Sequence, residues 1–86
     1  MEIQIDPHTF TCAVEQGISE EEIGDAINTG FAIPRKDGRV GRCKVYDFQQ
    51  TRHGRYYEQR RVEVFYTIEQ HTIITVTVYV LYGRLE

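Results

Sequence analysis

The chain has no tryptophan, one methionine, two prolines and two cysteines in 86 residues. Cys12 and Cys43 sit in no CxxC or Cys/His metal-binding spacing, which argues against a zinc ribbon or a thioredoxin-like pair and leaves two small reduced thiols. His8, His53 and His71 are scattered, so neither a metal nor another cofactor is expected. The longest apolar stretch, Ile73 to Tyr82, is broken by Thr75 and Thr77 and falls short of the ~20 residues a membrane-spanning helix needs. The start, MEIQIDPH, lacks the basic opening and apolar core of a secretory signal, so the expectation is a cytoplasmic protein with no membrane contact. The length suits one domain over 1–86 that buries roughly 60% of its unfolded surface. The terminal Leu85-Glu86 resembles a tag remnant.

Basic residues are also missing, but only locally. Residues 1 to 31 hold seven acids (Glu2, Asp6, Glu15, Glu20, Glu21, Glu22 and Asp25) and no Lys or Arg. Residues 32 to 61 hold nine bases against Asp37, Asp47 and Glu58, although the net charge is only -3. A polyanion such as RNA, or an acidic protein, would therefore meet one basic segment, 35–61, rather than a basic protein.

What is present reads as α+β. Asp6-Pro7 is a helix start, with Asp able to accept from free N–H groups and Pro needing no donor. The first helix runs to about Gln16, with Phe10, Ala13 and Val14 as its expected buried stripe and Gly17 as its stop. Ser19 and Glu22 form a capping box for a second helix, with Ile23, Ala26 and Ile27 inward and Gly30 as its end. Both follow a short strand near Glu2 to Ile5. Residues 31 to 42 read as a loop, and Arg42 to Gln50 as a strand that turns at His53-Gly54. The stretch from Arg60 to Tyr82 reads as two more strands. Even positions are apolar in both (Val62, Val64, Tyr66, Ile68; Ile74, Val76, Val78, Val80, Tyr82), so even must face even. An odd loop, Glu69-Gln70-His71, then pairs Val64 with Val76 and Val62 with Val78. The His53-Gly54 turn sets Val45 opposite Val62 and Cys43 opposite Val64.

In that register, with both helices on the even face, the other face carries Tyr46, Arg61 and Tyr79 beside Lys44, Glu63 and Thr77. Arg offers a donor fork to phosphate, Lys stabilises developing charge, and Glu or Tyr can transfer protons. Tyr46 and Tyr79 could also stack unpaired bases. The same residues read equally well as ordinary strand chemistry, with Lys44 and Glu63 a cross-strand ion pair. A second cluster, Arg52, His53, Arg55, Tyr56, Tyr57 and Arg60, suits single-stranded RNA or an acidic partner, or is simply a solvated hairpin tip. His8 opens the first helix, where a neutral imidazole is favoured.

The layout, with HTFTCAVEQGISEEEIGDAINTG followed by RRVEVFYTIEQHTIITVTVY, resembles a family of small bacterial domains grouped with RelE/ParE and BrnT toxins in the barnase/EndoU/colicin/RelE-like set. The carrying positions are His8, the turn Glu15-Gln16-Gly17-Ile18-Ser19 and Thr77-Val78-Tyr79; Gln16 stands where the family usually has Arg. The resemblance implies a β-α-α-β-β-β fold and a metal-independent endoribonuclease toxin neutralised by an antitoxin. On that reading Arg61 would hold phosphate, Lys44 would stabilise charge, and Tyr79 or Glu63 would move protons, with His8 as a family-derived candidate. Tyr46, Arg52, His53, Arg55, Tyr57, Arg60 and Thr77 would bind RNA. The alternative is a non-catalytic RNA-binding or protein-interaction module using the hairpin 52–61.

Overall fold

The computed structural model describes residues 1–34 and 39–84. Its elements are β1 (Glu2–Gln4), α1 (Pro7–Gln16), α2 (Glu20–Thr29), β2 (Phe31–Ile33), β3 (Val40–Arg52), β4 (Arg55–Glu69) and β5 (Thr72–Gly83). They form one sheet in the order β1-β5-β4-β3-β2, with β1 parallel to β5 and the other pairs antiparallel. The α+β class and the β-α-α-β-β-β layout are as expected. The stretch read as a loop, however, contributes an extra edge strand, β2, which pairs Phe31 with Cys43 and Ile33 with Gly41. Leu85, Glu86 and the bases Arg35 and Lys36 lie outside the described residues.

Local chemistry accounts for both helices. Asp6, extended at the N-cap, accepts from Thr9 N–H at 3.2 Å. Gly17 closes α1 at φ 79°, a left-handed conformation that a side chain would strain. The capping box of α2 is complete: Glu22 N–H donates to Ser19 Oγ at 3.2 Å, and Ser19 N–H donates to Glu22 Oε1 at 3.2 Å. Ile23, Ala26 and Ile27 are buried as their spacing predicts. Helix α1 departs from its expected stripe, burying Thr9 and Ala13 while Phe10 and Val14 are 46% and 62% exposed. The cause is a tether at its start. Thr75 Oγ1 donates to Asp6 Oδ1 at 3.0 Å and accepts from Asp6 N–H at 3.1 Å, which fixes the rotation of α1 over β5.

Both helices cover one sheet face, and Ala13, Ile18, Ile23, Ala26 and Ile27 close on Val62, Val64, Tyr66, Ile73 and Val78. Two bulges set which strand residues reach that core. The β3–β4 turn is His53-Gly54 as expected, with Arg52 opposite Arg55. Between Asp47 and Gln50 the register shifts, with Gln49 at φ 48°, and β3 gains one residue. Val45 therefore faces Arg61 and Cys43 faces Glu63, while Lys44 faces Val62, so the expected Val45–Val62 and Cys43–Val64 pairs do not form.

The β4–β5 turn is the two residues Gln70-His71, not three, and sets Glu69 opposite Thr72. Near the turn Ile73 and Thr75, rather than Ile74 and Val76, join the core, and Ile68 is 50% exposed. The register then shifts across Val76 and restores even against even, as Val78–Val64 and Val80–Val62 instead of Val76–Val64 and Val78–Val62.

Candidate functional site

The face of the sheet turned away from the helices is laid out by the cross-strand register. Phe31, Cys43, Glu63 and Tyr79 form its central row. Val45, Arg61 and Leu81 lie on one side of it, and Ile33, Gly41, Phe65 and Thr77 on the other. Arg61 Nε is 2.8 Å from Glu63 Oε2, an ion pair whose N–H is not aligned as a hydrogen bond. The same guanidinium lies 5.8 Å from the Phe31 ring centroid. Phe65 sinks into the face and meets Tyr79 edge-on at 5.8 Å. Gly41 makes room for it, since a Cβ there would sit 2.7 Å from both the Phe65 ring and Ile33. Phe31, Tyr79 and Leu81 remain 53%, 48% and 45% exposed. Beneath them Cys43 is fully buried, and burial pushes its thiol up, with Arg61 opposing and Glu63 reinforcing the shift. It is a packed thiol, not a nucleophile.

The expected constellation is divided by the sheet. Arg61, Glu63, Thr77 and Tyr79 share the open face, whereas the first bulge turns Lys44 and Tyr46 to the helix side. There Lys44 Nζ donates to Asp25 Oδ2 at 2.8 Å and to Thr29 Oγ1 at 2.7 Å, and the Tyr46 hydroxyl donates to Asp25 Oδ2 at 2.5 Å. These bonds from Lys44 and then Tyr46 hold the Asp25 carboxyl below its ordinary range. Burial, with the Asp25 bond added, pushes the Tyr46 phenol far above its own, so it stays a donor.

The hairpin cluster is also committed. Arg52 Nη2 donates to Glu15 O at 3.1 Å and Arg60 Nη1 to Gly17 O at 3.3 Å, while Arg60 also pairs with Glu22. Helix α1 has no basic residue in its last turn, so the sheet supplies the cations its C-terminal carbonyls favour. Arg42 Nη1 serves the end of α2 in the same way, donating to Gly30 O at 2.9 Å. Tyr57 packs on Tyr82, whose hydroxyl donates to Gln16 O at 2.7 Å. His53 and Arg55 sit exposed at the turn. His8 is exposed on α1, its Nε2 3.6 Å from Cys12 Sγ, on the opposite side of the sheet from Arg61.

The edges of the sheet are guarded. On β5, β1 covers Thr72 to Ile74, and further along the Gln16 amide accepts from Val80 N–H at 2.7 Å and donates to Val78 O at 3.0 Å. On β3, β2 covers Gly41 to Cys43 and the bulge at Asp47 to Gln50 interrupts the remainder. A cleft of about 440 Å³ lies at the far end between Asp47, Gln49, Tyr56, Glu58, Gln59 and Arg84. Its Glu58 carboxylate is lowered by two 2.8 Å bonds from Arg84.

Phe31, Leu81 and Phe65 are the open-face residues that sequence reasoning passed over. Leu81 was visible as an odd position two beyond Tyr79, whereas Phe31 needed the unforeseen β2. Among the described residues no group of three His, Cys, Asp or Glu side chains could hold a metal, and no helix is long and apolar enough to cross a membrane. No family model matches the chain, and no curated protein or solved structure is significantly similar to it.

Proposed function

We propose that this domain is a protein-interaction module that binds through the open face of its sheet. The observation that carries the reading is the exposed trio Phe31, Tyr79 and Leu81 around a largely shielded Arg61–Glu63 pair. Aromatic and aliphatic side chains grouped on one surface are the usual anchors of protein recognition. The basic segment that suggested RNA or an acidic partner spends Arg42, Lys44, Arg52 and Arg60 on helix ends and helix carboxylates. That moves the weight from the hairpin 52–61 to the face. The test is a photo-crosslinking residue placed in cells at Tyr79 or, as a control, at Glu20 on the exposed side of α2. Protein adducts from position 79 but not from position 20 are expected. Adducts to RNA from position 79, or none, would overturn the reading.

A second reading has its own observation: Glu63 lies directly opposite Tyr79, with Arg61 beside it, on a face open to solvent. This keeps a metal-independent endoribonuclease toxin as the alternative, with Arg61 on phosphate and Glu63 or Tyr79 in proton transfer. Incubation with structured and single-stranded RNA in EDTA decides it. Cleavage lost in Arg61→Ala favours the toxin, whereas intact RNA together with unchanged toxicity of Arg61→Ala on induction removes it.

A further inference from the structure

Arg61 carries five N–H donors in a planar fork, and among the described residues Glu63 is the carboxylate that pairs with it, with the Phe31 ring lying against the guanidinium. The contact is made at Nε and off the hydrogen-bond axis, and neither Nη group hydrogen-bonds to a described residue, so the fork suits a carboxylate that arrives from above the sheet. Glu63 correspondingly faces out beside Tyr79. The centre of the face thus has one cation and one anion side by side and no net charge, with apolar side chains around them. A polyanion, a basic peptide or an acidic protein finds no excess charge to address. A purely apolar partner would bury the pair and leave the Arg61 donors unsatisfied, at a cost that exceeds what the contact returns.

We infer that the partner of this face is a second copy of the chain, packed sheet to sheet about a two-fold axis that passes between Arg61 and Glu63. The inference rests on the open-face reading and names its occupant. A patch with adjacent opposite charges is self-complementary under a two-fold rotation. Each Arg61 then meets the Glu63 of the partner subunit, and the four charges close into a ring that satisfies the free donors. Sheets packed face to face stand about 10 Å apart, a gap that Phe31, Tyr79 and Leu81 from both copies fill.

Sedimentation velocity on the full chain, from micromolar to near-millimolar concentration, tests this together with a charge swap. Wild type is expected to dimerise. Arg61→Glu sets carboxylate against carboxylate and Glu63→Arg sets guanidinium against guanidinium, so each alone should weaken the dimer by about 30-fold or more. Mixed in equal amounts, the two variants present opposite charges at every contact and should form a heterodimer near wild-type strength. Circular dichroism checks that each variant is folded. If either charge variant fails to fold, Leu81→Lys, which leaves the ion pair intact, must still weaken the dimer. A wild type that stays monomeric overturns the inference, as do variants that dimerise like wild type or a mixture that restores nothing. A monomer whose position 79 still crosslinks to another protein removes the inference but leaves the interaction reading standing. A monomer with no adduct removes both.

Discussion

At position 16 a single amide takes the place of a strand. Gln16 accepts from Val80 N–H and donates to Val78 O, the two bonds a neighbouring strand would make on this stretch of β5. Gln16→Ala leaves a donor and an acceptor unpaired in a half-buried position and should lower stability by about 1–3 kcal/mol in urea unfolding. Gln16→Arg should cost a similar amount, because a guanidinium has no acceptor for Val80 N–H. Val80 amide exchange would report the loss directly. The role of position 16 was not legible in the sequence, since a glutamine near a helix end does not announce a partner 64 residues away.

Asp25 was equally silent, reading as one acid among seven. Its folded carboxyl is lowered by Lys44 and Tyr46, so its stabilising effect is complete above its unfolded pKa and is lost as pH falls through the lower folded value. Thermal unfolding between about pH 5 and pH 2 should therefore show a declining midpoint, and Asp25→Asn should flatten that decline while lowering the midpoint at neutral pH.

Among the elements, caps were legible and bulges were not. Asp6-Pro7, the Ser19/Glu22 box and the His53-Gly54 turn carry their chemistry in adjacent residues, and each formed where it was expected. A bulge adds one residue and leaves little trace: a lapse in alternation at Phe48-Gln49-Gln50 on β3, and none at all at Thr75-Val76-Thr77 on β5, where the polar–apolar alternation runs straight through the shift. Its effect is large, because one extra residue carried Lys44 and Tyr46 through the sheet and separated them from Arg61. The Gln70-His71 turn hid for a related reason. Both residues hold positive φ, 49° and 65°, without the Asn-Gly pair that normally advertises such a turn. Relief of that strain gives a prediction: Gln70→Asn with His71→Gly should raise stability by about 1 kcal/mol, seen as a higher urea midpoint at unchanged slope.

At the scale of the whole molecule, the segregation of charge along the chain is a fold signal. The acidic first third folds over the basic middle, and Asp25 meets Lys44 while Glu22 meets Arg60 between the helix layer and the sheet. The dipole ends of α1 and α2 take Arg52, Arg60 and Arg42. A segment that looked built for a polyanion is thus largely matched inside the chain, which composition could not reveal because it does not say which segments face each other. Two opposing electrostatic effects follow. Attraction across the layers weakens with salt, whereas the net charge of -3 is self-repulsion that salt relieves. The cross-layer contacts are short and partly shielded, and three excess charges spread over the surface interact weakly, so attraction should dominate. Raising NaCl from about 0.05 M to about 0.5 M should then lower unfolding free energy by about 1 kcal/mol. In Lys44→Met, which removes one attractive contact and adds to the net negative charge, the slope should shrink or reverse. A wild type that salt stabilises would mean the charged layers contribute less than self-repulsion, and the basic strands would again be free to look outward for a partner.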